Sequence, residues 1–205
     1  MPHPCQVRSR SQTIRLPAVP LYHGPQRQPL AHQLALRLLR GETLLKKVLW
    51  DISAGLDYVE SRAEVDGRFI GFMGYGYGGK LAIWAAAMDK RIRAAVAHSG
   101  VVTYREQVKR GTWFPPEFVV PRLMQVADID HITSMIAPRP ILLSTVDDDP
   151  QSADAETIYQ KTLLIYGRHG VSNRLTHYRY PAANRFAPYM RYNAYNWLDS
   201  WLQPF

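Results

Sequence analysis

The sequence predicts an α/β fold built on a mostly parallel sheet of about four strands flanked by helices. Short apolar runs alternate with stretches of helical period from residue 42 to residue 202. Strands and helices in that order are joined by right-handed crossovers, which makes the sheet parallel. The six residues "GYGYGG" (74–79) fall between an apolar run and a helical stretch, where a strand must turn straight into a helix. At 205 residues and 46% hydrophobic content the chain has enough apolar surface for one domain, and no apolar run approaches membrane-spanning length.

The first regular element starts at Glu42. Leu45, Val48, Leu49, Ile52, Leu56 and Val59 recur every three to four residues, one apolar stripe on a helix over 42–61. Val65-Asp66-Gly67 reads as a turn and residues 68–73 as a short apolar strand. A helix over 80–89 and a strand at Ala94–His98 follow. Residues 101–125, interrupted by Pro115, Pro116 and Pro121, read as irregular. A short helix near 127–136 leads to a strand at Ile141–Thr145, then a helix near 153–167 and a strand near 175–180. The last helix sets Ala194, Trp197, Leu198, Trp201 and Leu202 on one face. With no internal repeat, residues 42–205 read as one domain.

Residues 1–41 differ in charge. They contain Arg8, Arg10, Arg15, Arg27, Arg37 and Arg40 and no acidic residue, so they hold six of the eight net positive charges. The remaining charge is ordinary for a globular domain, and nucleic acid is not an expected partner. Prolines at 2, 4, 17, 20, 25 and 29, without sustained periodicity, predict an irregular basic arm. The lone Cys5 excludes an internal disulfide framework and a cysteine zinc site. Without an apolar signal region or a membrane span, a cytoplasmic location is expected.

Three chemistries place glycines at a strand-to-helix turn. Residues 74–79 match the dinucleotide pattern G-x-G-x-x-G, but the next strand ends His98-Ser99-Gly100, without the acid that holds a ribose. With Lys80 they approach a phosphate loop, but Leu81 stands where a magnesium-binding hydroxyl belongs. They also match the nucleophile elbow G-x-S-x-G, with Gly76 in place of the serine.

The elbow reading gains from the rest of the chain. "GLDYV" (55–59), "VDGRFIGF" (65–72), "GYGYGG" (74–79), "IAPRPILLSTVDDDP" (136–150) and "YPAANRFAPYMRYNAYNWLDSWL" (180–202) come in the order and spacing of one family's motifs. In these the chain resembles the α/β-hydrolase superfamily, in its acetyl xylan esterase and dienelactone hydrolase-like branch. The resemblance implies a partial α/β-hydrolase fold, the C-terminal half of the whole, since residues 1–40 match none of the family's first strands. It also implies serine ester hydrolysis, in which an imidazole deprotonates a serine and a carboxylate orients the imidazole. Carried over residue by residue, it puts Gly76 at the nucleophile position, Asn184 at the base position and Asp149 at the acid position. Asp148 is the second candidate acid, and Val146 replaces a glycine of the acid motif. The backbone N–H of Tyr77 would be one oxyanion donor. An amide does not take up a proton at neutral pH, so the base is lost with the nucleophile. Asp147, Asp148 and Asp149 then read as a solvated acidic loop.

Other reactive residues read as structural. His98 and Ser99 are adjacent on a strand and point to opposite faces, which denies them a dyad. Lys80 reads as a surface cation on a first helical turn, and Tyr75 and Tyr77 as packing residues. His131, His169 and His177 lack metal-ligand spacing, so no metal or cofactor is expected. The expected function is a non-catalytic homologue of a serine ester hydrolase. The alternatives are an active hydrolase of unusual constellation and a nucleotide binder using 74–79. Without a neighbour from the missing half, strand 68–73 is expected to be a bare sheet edge, favouring self-association or a protein partner.

Overall fold

A computed structural model of the chain describes residues 6–9, 12–15, 30–181 and 186–203. The four expected strands are β3 (Gly71–Tyr75), β4 (Ala94–His98), β5 (Ile141–Val146) and β6 (Leu175–Tyr180), and they pair in parallel in that order. Strands β1 (Gln6–Ser9) and β2 (Gln12–Arg15) extend this sheet on the β3 side as an antiparallel hairpin.

The first helix, α1 (Leu30–Leu39), precedes α2 (Leu44–Glu60), which Thr43 caps by accepting a hydrogen bond from the Lys46 N–H at 3.1 Å. The long helix α3 (Tyr77–Met88) connects β3 to β4. Between β4 and β5 lie three shorter helices, α4 (Tyr104–Arg110), α5 (Leu123–Val126) and α6 (Ile129–Ser134). Helix α7 (Ala155–Arg168) links β5 to β6, and α8 (Pro188–Leu202) closes the chain.

Alternation along the strands divides the core into two layers. Phe72, Ala95, Ala97, Ile141 and Leu143 face α3 and α7, with α2 packed beyond through Leu45, Val48, Leu56 and Val59. Met73, Val96 and Leu142 face the other way, onto Ala194, Trp197, Leu198 and Leu202 of α8. The stripe read on the last helix is therefore the cover of one whole sheet face. Among the described residues, no helix is long and apolar enough to cross a membrane.

Three readings need correction. Residues 1–41 are not irregular throughout, since they contain β1, β2 and α1. Nor is residues 68–73 a bare edge: Gln6, Val7 and Arg8 of β1 pair with Met73, Phe72 and Gly71. Pro17 and Pro20 of the arm lie beyond the pairing segment in sequence, so every paired residue keeps its N–H. Residues 101–125 are not wholly irregular either. Thr103 caps α4 through the Glu106 N–H at 3.1 Å, and Gly111 ends it at φ 61°.

The β1 pairing gives a direct test. Deleting residues 1–15 exposes the backbone groups of β3, an apolar strand without proline. The truncated chain should melt several degrees lower and associate with rising concentration in light scattering. An unchanged melting temperature and monomeric scattering would show that the hairpin contributes nothing.

Candidate functional site

Strand β3 passes into α3 through a single residue, Gly76, at φ 58° and ψ −115°. This conformation is strained for any residue with a Cβ, and it is the turn that lifts a nucleophile above the C-terminal rim of a sheet. The surrounding backbone leaves no room for side chains. A Cβ on Gly74 would run into the Gly78 carbonyl, and one on Gly79 into that of Ser99. The Gly76 carbonyl accepts from the N–H groups of Gly79 and Lys80 at 3.0 and 3.1 Å, starting α3. A Cβ built on Gly76 would meet Gln151 Oε1 at 3.8 Å, an ordinary contact, so the strain there comes from the backbone angle. Tyr77 opens α3 and sets its ring on Phe118, 5.0 Å away.

The end of β4 forms the neighbouring rim. The His98 carbonyl accepts from the Gly76 N–H at 2.8 Å, tying the strand end to the elbow. The His98 ring lies on the α8 side, 5.4 Å from Tyr75 and 4.7 Å from Phe186, with Nδ1 2.6 Å from Ser144 Oγ. Burial drives its pKa down to about 4, against the opposing pull of Asp149. Ser99 turns away at φ 60° and donates its hydroxyl to Asp149 Oδ2. The two residues face different partners and form no dyad.

Asp149 is buried, with 3% of its surface exposed, which corrects its reading as part of a solvated acidic loop. Besides Ser99 it accepts from Ser152 Oγ at 2.8 Å and from the Gln151 N–H at 2.9 Å. Asp148 is exposed, and Asp147 pairs with Arg179 on the surface at 2.5 Å. The structure thus separates the two candidate acids. The base position, Asn184, lies outside the described residues.

Lys80 also differs from its reading as a surface cation. It is 3% exposed, and its ammonium lies 5.2 Å from the ring of Tyr104 and 5.7 Å from those of Phe114 and Phe118. Nζ donates to Gln107 Oε1. Burial lowers its pKa to about 8, although Asp128 and Asp154 pull it upward. Two histidines hold elements together: His131 completes a capping box at the start of α6, and His177 bridges Thr145 of β5 and Glu156 of α7 at 2.8 and 3.1 Å. Among the described residues, no group of three or more His, Cys, Asp or Glu side chains is placed to hold a metal ion.

The parallel sheet with helices on both faces and a glycine turn from β3 into α3 has the architecture of the α/β-hydrolase fold. The chain belongs to the dienelactone hydrolase family, whose pattern matches residues 18–163. It is 30% identical over 169 residues to YtaP of Bacillus subtilis (strain 168), a hydrolase by assignment, covering 80% of this chain and 56% of that one. In fold it is similar to a carbohydrate esterase family 15 glucuronoyl esterase from Caldicellulosiruptor kristjansonii. That likeness has a TM-score of 0.66 and 20% identity, over 78% of this chain and 51% of the other. A glucuronoyl esterase from Solibacter usitatus aligns with a TM-score of 0.62 and 15% identity, over 89% and 53% of the two chains. The chain spans about half the length of these relatives.

Two measurements test the site's architecture. Asp149→Ala strands two hydroxyls and an N–H in a buried place, so stability should fall by about 2–4 kcal/mol in chemical denaturation. A loss below about 0.5 kcal/mol would place Asp149 in solvent after all. His98 binds fewer protons folded than unfolded between pH 6.5 and about 4. Its contribution to stability is therefore complete above pH 6.5 and declines as pH falls through that window, by up to about 3 kcal/mol. His98→Gln should remove that part of the acid dependence; identical pH profiles would refute it.

Proposed function

We propose that this chain is a non-catalytic member of its ester-hydrolase family, with the elbow and acid retained and the nucleophile and base replaced. One observation carries the reading: the apex of the elbow is a glycine, so nothing there can attack an ester. The sequence reading of Asn184 at the base position points the same way, since an amide accepts no proton at neutral pH. What remains on this reading is a scaffold for binding.

The reading makes three demands. The purified protein should turn over no short acyl p-nitrophenyl ester and take no fluorophosphonate label. Gly76→Ser should stay inactive for want of a base, and should lose about 1–3 kcal/mol of stability because serine is strained at φ 58°. Covalent labelling of the wild-type chain, whether mapped to Ser99 or elsewhere, would replace this reading with that of an active hydrolase. A thermal shift with ATP or NAD would favour nucleotide binding at 74–79.

A further inference from the structure

Lys80 occupies a poor place for a cation. It sits in the first turn of α3, at the positive end of the helix dipole. It is buried, and its ammonium has the Gln107 carbonyl oxygen as hydrogen-bond acceptor and, among the described residues, no carboxylate in salt-bridge range. Three aromatic faces supply the remaining attraction, and cation–π contacts recover only part of the solvation a lysine loses on burial. The carboxylates that act on it are committed elsewhere. Asp128 accepts from the N–H groups of Tyr104, Arg105 and Ile129, and Asp154 from Thr103. One turn further along α3, the Trp84 indole N–H is buried without an acceptor among the described residues. An apolar residue at position 80 would fill the same box without the cost of a buried charge, losing only the hydrogen bond to Gln107.

Every group that cages the ammonium comes from one stretch of the β4–β5 connection. Tyr104 and Gln107 belong to α4, while Phe114 and Phe118 lie just beyond it. That stretch is internally joined, with Tyr104 on Phe114 at 5.0 Å and the Tyr104 hydroxyl donating to the Phe118 carbonyl at 3.0 Å. It docks on α3 through Lys80 and through Tyr77 on Phe118, so it closes over the ammonium as a unit. When it lifts, Lys80 regains water.

We propose that Lys80 is a proton-coupled pin: segment 104–118 closes over its amine, proton uptake at Nζ favours release of the segment, and proton loss favours docking. The titratable and charged groups that face Nζ are Tyr104 from α4, Asp128 from the start of α6 and Asp154 from the turn before α7. Both aspartates favour the charged form, so they oppose the effect of burial without reversing it. The direction then follows from linkage. The open segment leaves a lysine of ordinary basicity, whereas the closed one holds a weaker base, so closing releases a proton. Lys80 meets Gly76 through its backbone N–H, which starts α3, while its ammonium lies in the cage formed by segment 104–118.

Hydrogen exchange of the intact chain, read by mass spectrometry in peptides covering 104–118 and corrected for intrinsic exchange rates, tests the pin. Between pH 7 and 9.5 the opening constant of the wild-type segment should fall roughly 20-fold, while peptides in β4 and β5 show no matching change. Lys80→Met fills the box with an uncharged chain of similar length. Its segment should be more protected than wild type at pH 7 and show no such pH dependence. A wild-type segment flat across this range overturns the proposal. So does a Lys80→Met segment that is equally or less protected at pH 7.

Discussion

The contact of β3, α3 and the end of β4, backbone against backbone, is the constraint on which the rest of the structure depends. At Gly74 and Gly79 a Cβ would collide with main-chain carbonyls, so the helix reaches the strand only because both positions lack a side chain. That approach fixes the turn at Gly76, and the Gly76 N–H bonded to the His98 carbonyl locks the two strand ends in register. From there the positions of the other groups follow. Ser99 is carried over to Asp149, and the first turn of α3 points Lys80 under the β4–β5 connection. The same glycines that matched three sequence patterns are thus explained by packing alone, without a phosphate or a hydroxyl. That is why the pattern was ambiguous in sequence.

The parallel strands were legible because their apolar runs are short, bounded by turn residues and separated by helices of clear period. β4 and β6 fall at the expected residues, and β5 one residue beyond its expected end. The hairpin β1–β2 was not legible. Its strands are four residues each and rich in polar side chains, and prolines in the neighbouring sequence outweighed them. Helix α4 was missed because its seven residues carry one dominant signal, the Thr103 cap, amid prolines that argue for a loop. The family resemblance alone brought Asp149 forward as an acid candidate. Its hydroxyl partners were invisible, because Ser99 is fifty positions away. Lys80 was misread for the same reason: its box is assembled from residues 104–118, and a charged residue on a first turn carries no mark of burial.

The two unusual features of the site lean in opposite directions energetically. Glycine at the elbow apex removes the backbone strain that a serine there imposes, and Ser99 and Ser152 satisfy a carboxylate that would be destabilising if left alone in the interior. Both fit the non-catalytic reading proposed above, since strain persists only where the surrounding structure holds it. Lys80 runs against that trend. Its burial lowers its basicity far enough to mark a stability deficit, which a single apolar substitution would remove at the cost of the Gln107 hydrogen bond. Relaxed elbow and unrelaxed lysine lie a single helical turn apart, so a general loosening of the region does not explain both. A chain drifting without function should lose the costly cation as readily as the costly serine. On the reading proposed above, the docking of segment 104–118 is what gives this buried cation a task.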